Sequence, residues 1–208
     1  MFGKGIDIKK ALNAYVSGNT EISFDGISTD SRTIQEKEVF LALKGPRFDG
    51  HNFIDSLKGK TKGFIVNKDF YLEGNKDFFV VKVPDTLKAY VQLANYWRKK
   101  TNPKVIGITG SLGKTTTKEL IAEILSKQTK VLKTYENLNN IIGLSKMLLS
   151  LRDEKIAVLE MGINNMGEME ELCKIAEPDI GVITNIAPVH LEGLKSLQDI
   201  YKEKKILF

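Results

Sequence analysis

A glycine-rich segment at residues 105–117 limits what this chain can fold into. The apolar run 105–109 breaks at Gly110, and Gly113-Lys114-Thr115 then opens a segment with helical periodicity. A strand and a helix joined in this way form a phosphate-binding loop, whose backbone N–H groups approach phosphate oxygens. Lys114 supplies positive charge in such a loop, and the Thr115 hydroxyl is a ligand for Mg2+. We therefore predict a nucleoside triphosphate site formed by Gly110, Ser111, Leu112, Gly113, Lys114, Thr115 and Thr116.

The spacing of the glycines differs from that of the most common phosphate loop. That loop has a glycine five residues before Gly113, where this chain has Ile108, so the sequence has the shorter form G-x-x-G-K-T. A glycine turn without a ligand is the alternative interpretation of the segment.

Strand and helix patterns alternate regularly from residue 104 onwards. Apolar strand patterns cover residues 104–109, 130–134, 156–161 and 179–185, and helical patterns cover 114–126, 139–151 and 167–176. This alternation predicts a parallel sheet covered by helices. A further helix begins at about Ser196, and the sequence finishes on an apolar Ile-Leu-Phe, so we expect this domain, residues 104–208, to be incomplete.

The first part of the chain has shorter elements. Strand patterns occur at residues 22–27, 39–43, 64–66 and 78–83, and helices are predicted near 53–57 and at 6–16, where Ile8, Ala11, Leu12 and Tyr15 have helical spacing. Residues 1–84 are thus predicted to form a small domain, and residues 85–103 a connecting helix and linker. The predicted fold class is α/β: a small N-terminal α/β domain followed by a parallel-sheet phosphate-loop (P-loop) domain.

Two polar side chains follow neighbouring strands of the predicted parallel sheet and are candidate metal ligands. Glu160 lies at the end of the strand 156–161, and ligands gather at this carboxyl edge in such folds. It is therefore the natural partner of Thr115 in holding Mg2+, although acidic residues at strand ends are also common without a metal. His190 follows the next strand and is a candidate ligand for a second cation. A histidine by itself, however, more often has a structural role.

Amide side chains are concentrated in two loops of the same domain. Asn137, Asn139 and Asn140 follow the strand 130–134, and Asn164 and Asn165 follow the strand 156–161. Helix capping accounts for one asparagine of the first loop but not for three. These loops therefore suit a substrate with many oxygen atoms.

Composition and charge argue against several other classes of function. The formal net charge of +5 is spread along mixed Lys/Glu segments, so it does not favour nucleic-acid binding. The N-terminus lacks the apolar region of a signal peptide, and no run of eighteen apolar residues occurs. We therefore expect a cytoplasmic, monomeric protein without membrane insertion.

Together the motifs resemble those of the Mur ligases of peptidoglycan synthesis, and the likeness runs along the whole chain. The motifs that carry it are Ser28-Thr29-Asp30-Ser31-Arg32, residues 39–51 with Arg47-Phe48-Asp49-Gly50-His51, residues 110–116, Asn137-Leu138-Asn139-Asn140, Glu160-Met161-Gly162 and His190-Leu191-Glu192-Gly193. The motifs around the asparagines, the glutamate and the histidine are closer to the member that adds D-alanyl-D-alanine to UDP-N-acetylmuramoyl-tripeptide. They are less similar to the members that add a diamino acid or glutamate, and to folylpolyglutamate synthetases.

The resemblance implies an ATP-dependent amide ligase. In this family the substrate carboxylate attacks the γ-phosphate of ATP, and the dipeptide amine then displaces phosphate from the acyl phosphate. The implied catalytic residues are Lys114, Glu160, His190 and Lys204, and the implied Mg2+ ligands are Thr115, Glu160, His190 and Lys204. Lys204 corresponds to a lysine that is carbamylated in the family, although its neighbours Glu203 and Lys205 differ from the family's Ala-Lys-Gly pattern.

The resemblance also assigns substrate-binding roles. Recognition of the UDP group belongs to the first domain in this family, and the implied residues are Ser28, Ser31, Arg32, Arg47, Phe48, Asp49 and His51. Asn137 and Asn140 would face the muramoyl group. Arg32 could equally form a structural salt bridge.

Family members continue into a third domain that closes over ATP, and the 208 residues have no counterpart of it. We therefore expect a fragment that does not catalyse ligation by itself. The alternatives are a non-catalytic fragment that binds nucleotide or UDP-sugar, a Mur-type ligase that adds a diamino acid, and an unrelated P-loop ATPase or GTPase.

Overall fold

The computed structural model describes residues 3–45, 48–188 and 191–208. Its contacts divide the chain into two compact units, Met1–Leu93 and Ala94–Phe208, which we call the first and second units. The division falls inside a helix, Thr86–Thr101, in the segment predicted to connect two domains. The domain limits predicted at residues 84 and 104 stay a prediction.

The first unit contains a mixed sheet flanked by short helices. Its strands are β1 (Gly3–Lys4), β2 (Tyr15–Ser17), β3 (Ser23–Phe24), β4 (Gly26–Ser28), β5 (Glu38–Leu41), β6 (Lys44–Gly45), β7 (Phe48–Asp49), β8 (Gly63–Asn67) and β9 (Phe79–Val83). Its helices are α1 (Gly5–Leu12) and α2 (Ile54–Leu57), with a 3-10 turn at Gly50–Phe53, and α3 (Thr86–Thr101) begins here.

The main sheet of the first unit has the order β2-β9-β8-β5-β4, and only its β2–β9 pair is antiparallel among the described strands. Its central strands β5, β8 and β9 are apolar on both faces and almost entirely buried. Such continuous apolar runs are typical of strands that are covered on both sides. Phe40, Phe64 and Val80 of these strands pack with Ile54 and Leu57 of α2 in the core.

The first helix is shorter than the sequence pattern predicted. It ends at Leu12, because Asn13 adopts a left-handed conformation with φ of 47° that stops the helix. Tyr15, predicted to lie on the helix, instead begins strand β2 and pairs with Lys82. The helical prediction for residues 13–16 is therefore wrong, because pairing with β9 outweighs the local spacing of apolar residues.

The second unit is a parallel sheet covered by helices. Its strands are β10 (Lys104–Thr109), β11 (Val131–Lys133), β12 (Ile156–Glu160) and β13 (Ile180–Ile183), and its helices after α3 are α4 (Lys114–Ser126), α5 (Ile141–Leu149), α6 (Glu168–Ala176), α7 (Leu191–Leu194) and α8 (Leu197–Lys205). The order is β11-β12-β10-β13 and each described pair is parallel, which confirms the predicted α/β class and parallel sheet.

Helix α4 packs on the face of this sheet. Ala122 of α4 is buried against Ile108 of β10 and Val158 of β12. The predicted start of α8 is also confirmed, because Ser196 caps the helix by accepting a hydrogen bond from the Asp199 N–H at 3.1 Å. Within the described part of the chain, no helix is both long enough and apolar enough to cross a membrane.

Arg98, at the end of α3, holds the end of α6 in place. Its guanidinium is buried and donates to the carbonyl oxygens of Ala176 and Glu177, each at 2.9 Å, and it lies 3.3 Å from Asp179. We expect Arg98→Ala to lower the free energy of unfolding by about 2–4 kcal/mol, since buried acceptors lose a charged donor. Urea unfolding measures the loss.

The neighbouring Lys99 provides the matched control for this prediction. Its ammonium pairs with Glu177 at 2.7 Å, but both side chains are about half exposed. Lys99→Ala should therefore change the free energy of unfolding by less than about 1 kcal/mol. Equal losses in the two variants would contradict the role given to Arg98.

Candidate nucleotide and metal site

The glycine-rich segment forms a loop between the end of β10 and the start of α4. β10 ends at Thr109 and α4 begins at Lys114, with Gly113 as the N-cap in a left-handed conformation with φ of 77°. The loop thus presents the N-terminus of a thirteen-residue helix, where backbone N–H groups and the helix dipole favour an anion. This is the strand–loop–helix arrangement predicted from the sequence.

The loop is held in shape by the segment that follows β13. Ser111 Oγ donates to the Ala187 carbonyl at 2.8 Å and accepts from the Ala187 N–H at 2.9 Å. The Leu112 N–H donates to Asn185 Oδ1 at 2.8 Å. The side chain of Ser111 and the N–H of Leu112 therefore have protein partners, whereas the side chain of Thr116 is exposed.

Lys114 lies over the loop that it follows in sequence. Its Nζ donates to the carbonyl oxygen of Gly110 at 2.9 Å. The ammonium group thereby lies beside the loop, where it can exchange this carbonyl for phosphate oxygens. The geometry suits the predicted role of Lys114.

Glu160 ends β12 and faces the start of α4. The sheet register places Glu160 opposite Ile108 of β10, and Glu160 is only 4% exposed. One carboxylate oxygen accepts from Thr115 Oγ1 at 2.9 Å, and the other accepts from Asn139 Nδ2 at 2.9 Å. Two residues distant in sequence, Thr115 and Glu160, are therefore brought together as predicted for a shared cation.

Asn139 contacts the candidate site, although the sequence alone does not single it out. It binds the Glu160 carboxylate and packs against Gly162, where an added Cβ would lie 2.9 Å from Asn139 Cγ. Of the two asparagines that the resemblance assigns to the muramoyl group, Asn140 caps α5 by accepting from the Gly143 N–H at 2.8 Å, and Asn137 is exposed. The predicted substrate-binding role of this loop stays a prediction, and the sequence did not distinguish which of its asparagines contacts Glu160.

Lys204 of α8 is buried in the same unit as the loop. Burial lowers the pKa of its ammonium to about 8, and the nearby positive charge of Lys114 contributes in the same direction. The predicted partner ligand, His190, lies outside the described residues.

The donor set around Glu160 fits a hard cation. Among the described residues, no group of three or more His, Cys, Asp or Glu side chains is placed to hold a metal ion. Mg2+ needs fewer protein ligands, because it commonly binds one or two carboxylates together with water and nucleotide phosphates. The Glu160 carboxylate beside the Thr115 hydroxyl meets that requirement.

Gly110 is the residue of the loop that tolerates substitution least. Its φ is 149°, and an added Cβ would lie 1.9 Å from Thr184 Oγ1, a hydroxyl that donates to the Leu112 carbonyl at 2.5 Å. We expect Gly110→Ala to lower the free energy of unfolding by about 2–4 kcal/mol, measured by thermal unfolding.

Gly113 of the same loop provides the control, because a Cβ added there has nothing within 4 Å. Gly113→Ala should therefore cost about 1–2 kcal/mol, from backbone strain alone, and an equal loss at both glycines would contradict the steric argument.

A second candidate site lies in the first unit. A cavity of about 490 Å3 is lined by Thr29, Asp30, Ser31, Arg32, Phe48 and Phe53. The rings of Phe48 and Phe53 stack at 5.6 Å and both are partly exposed. Ser31, Arg32 and Phe48 of the predicted UDP-binding set are thus brought to one cavity, and Phe53 joins them although it was not predicted.

Arg32 forms a salt bridge with Asp30, which is the alternative role for this residue. Its Nε and Nη2 donate to the two carboxylate oxygens of Asp30 at 2.9 and 2.7 Å. The guanidinium remains largely exposed at the cavity. Ser28 Oγ accepts from the Asp30 N–H at 3.2 Å, so Ser28 shapes this loop rather than lining the cavity.

His51 and Asp49 bind each other. His51 Nδ1 lies 2.6 Å from Asp49 Oδ1, and the Asn67 N–H donates to His51 Nε2 at 2.9 Å. Because Nε2 accepts, the proton of the neutral ring lies on Nδ1 and is donated to Asp49. Both ring nitrogens thus have protein partners, while Arg47 lies outside the described residues.

The fold and the loop show that this is an α/β protein whose second unit is a P-loop domain. Two family models match the chain: the Mur ligase middle domain over residues 108–208, and the catalytic domain of the Mur ligase family over residues 23–97. The chain therefore belongs to the Mur ligase family.

Curated relatives and solved structures agree with this assignment. The UDP-N-acetylmuramoyl-tripeptide–D-alanyl-D-alanine ligase of Bacillus subtilis is 39% identical over 180 residues, covering 86% of this chain and 39% of the relative. A crystal structure of MurF from Acinetobacter baumannii matches with a TM-score of 0.89 and 37% identity, over 99% of this chain and 46% of that one. MurF from Thermotoga maritima in complex with ADP matches with a TM-score of 0.78 and 33% identity, over 89% and 43%. The chain spans about two fifths of the length of the curated relatives it matches.

Proposed function

We propose that this chain forms the substrate-binding and ATP-binding parts of a ligase that joins D-alanyl-D-alanine to UDP-N-acetylmuramoyl-tripeptide in peptidoglycan synthesis. The relatives at 35–42% identity carry the name of that activity. The observation that carries the proposal is the Thr115–Glu160 contact at 2.9 Å beside Lys114, which suits a Mg2+–triphosphate. We place the reaction in the cytoplasm and propose a monomer that binds no nucleic acid.

The proposed reaction has two steps. The tripeptide carboxylate attacks the γ-phosphorus of ATP, the bond to the bridging oxygen breaks, and ADP leaves. The amine of D-alanyl-D-alanine then attacks the acyl carbon, phosphate leaves, and the amine loses a proton as the amide forms. Such phosphoryl transfer depends mainly on positioning and on stabilising negative charge.

The second unit supplies the charge stabilisation in this proposal. Lys114 binds the outer phosphates, and Thr115 and Glu160 hold Mg2+, with Asn139 fixing the Glu160 carboxylate. Bound Mg2+ would neutralise charge on the transferred phosphate. Lys204 and His190 are proposed ligands of a second cation. Burial of Lys204 supports its proposed carbamylation, because a pKa of about 8 leaves part of the amine unprotonated and able to attack CO2.

The first unit binds the UDP group in this proposal. The stacked rings of Phe48 and Phe53 provide an aromatic surface for uracil, and Ser31 and Arg32 provide polar contacts at the same cavity. His51 and Asp49 act here by fixing the loop before α2, since both His51 nitrogens bind protein atoms. Asn137 remains a proposed contact to the muramoyl group.

Titration calorimetry on the 208-residue chain tests the proposal. We expect binding of both Mg2+-ATP and UDP-N-acetylmuramoyl-tripeptide, and Phe53→Ala should weaken the second about tenfold and leave the first unchanged. Equal or tighter binding of the UDP-linked dipeptide would favour the member that adds a diamino acid. Binding of neither ligand would contradict the proposed function.

A further inference from the structure

Lys118 is a buried lysine on α4, one turn after Thr115. Lys118 is only 1% exposed, so its ammonium has been removed from water at a considerable free-energy cost. The Nζ donates to the carbonyl oxygen of Thr134 at 2.8 Å and lies 3.1 Å from Glu119 Oε1. Phosphate binding by the loop does not explain why Lys118 is buried, because these two contacts of its Nζ are to Thr134 and Glu119 and not to the loop.

The carbonyl that Lys118 binds lies just beyond the end of β11. The last paired residue of β11 is Lys133, so Thr134 is the first residue past the ladder. A carbonyl leaving a sheet needs another donor when it is buried, and Lys118 provides it. Thr134 is itself 1% exposed, and its N–H donates to the Val158 carbonyl at 3.1 Å.

Thr134 in turn holds the backbone of Glu160. The Glu160 N–H donates to Thr134 Oγ1 at 2.8 Å. Helix α4 is therefore joined to the end of β12 twice: Thr115 contacts the Glu160 carboxylate directly, and Lys118 contacts the Glu160 backbone through Thr134. Both contacts are made from one turn of α4.

We infer that Lys118 is a positioning residue that, through Thr134, fixes Glu160 for the binding of Mg2+ and nucleotide. Lys118 makes no contact with the Glu160 carboxylate in the bonds described, so its effect passes through another residue. Groups that orient a metal ligand from behind commonly change metal affinity by about ten- to a hundredfold. The inference rests on the proposed function, because it assumes that Glu160 holds Mg2+.

The test compares the affinity for Mg2+-ADP with the affinity for ADP in EDTA, by calorimetry. Lys118→Met removes the donor but keeps the apolar stem, and Thr134→Val removes the hydroxyl but keeps the carbonyl. Each should weaken Mg2+-ADP binding about tenfold or more and change binding in EDTA by less than about twofold. The double variant should lose about as much as one single variant, because both changes break one connection.

Two control variants accompany these changes. Lys133→Met removes an exposed lysine whose Nζ pairs with the same Glu119 at 2.5 Å rather than with the Thr134 carbonyl, and this variant should bind Mg2+-ADP like the unchanged chain. Thr134→Ser keeps the hydroxyl and should also retain affinity. Because Thr134→Val leaves the buried lysine in place, it tests the connection even if Lys118→Met does not fold.

The outcomes separate the inference from the proposed function. If the unchanged chain does not bind Mg2+-ADP, the proposed function fails. If it binds while folded Lys118→Met and Thr134→Val variants bind equally well, only the inference is overturned. It is also overturned by losses that are the same with and without Mg2+ and that add in the double variant, since these indicate a purely structural role.

Discussion

Replacing Lys114 with alanine is expected to weaken Mg2+-ATP binding about a hundredfold, which corresponds to near 3 kcal/mol. Lys114 Nζ lies 2.9 Å from the Gly110 carbonyl, and in the proposed function it binds the outer phosphates. Its loss removes a charged donor without a substitute. Calorimetric titration of the variant with Mg2+-ATP measures the effect.

Lys127 provides the control for this change. It is an exposed lysine at the other end of α4, so Lys127→Ala removes the same charge far from the loop. Its affinity for Mg2+-ATP should match that of the unchanged chain. Retained affinity in a folded Lys114→Ala variant would contradict the assignment of residues 110–116 as a phosphate loop.

Replacing Glu160 with glutamine is expected to remove most of the dependence of nucleotide binding on Mg2+. Glutamine has nearly the same shape, and its one carbonyl oxygen can still accept from Thr115, whereas its amide nitrogen cannot accept from Asn139. We expect the fold to remain, but the negative charge that attracts the cation is lost. We expect the affinity gained from Mg2+ to fall about ten- to a hundredfold, whereas ADP binding in EDTA should be unchanged or slightly tighter.

The exposed Glu123 of α4 offers a matched variant for Glu160. Glu123→Gln removes one carboxylate from the same unit and should leave the Mg2+ dependence intact. A Glu160→Gln chain that responds to Mg2+ like the unchanged chain would remove Glu160 from the metal site. Loss of folding in Glu160→Gln would instead show that Asn139 and Thr115 require the anion for stability.

Much of the second unit could be predicted because its patterns are strong and local. Alternating apolar strands and amphipathic helices specify a parallel sheet, and the carboxyl ends of parallel strands meet at one edge. That rule alone predicts that Thr115 and Glu160 lie close together, although 45 positions separate them in the sequence. Patterns were weaker in the first unit, where Tyr15 left the predicted helix to pair with Lys82.

The candidate site contains residues whose roles depend on where the side chain points rather than on the type of residue. Asn137, Asn139 and Asn140 are the same residue within one loop, yet only Asn139 among them contacts the Glu160 carboxylate in the described structure. Histidine is a residue type that often binds ligands, but in His51 one ring nitrogen binds Asp49 and the other accepts from the Asn67 N–H. Sequence records side-chain chemistry and does not record which atoms a neighbouring segment supplies.

The sequence by itself determined the α/β class, the strand–loop–helix at Gly110–Lys114 and the family motifs, because each depends on short-range spacing along the chain. Tertiary structure decided the connection from Lys118 through Thr134 to Glu160, and the burial that lowers the pKa of Lys204. Lysines usually lie in water, so their pattern in the sequence indicates a solvated surface. Only the packing of helices on the sheet reveals which lysines have exchanged water for protein partners.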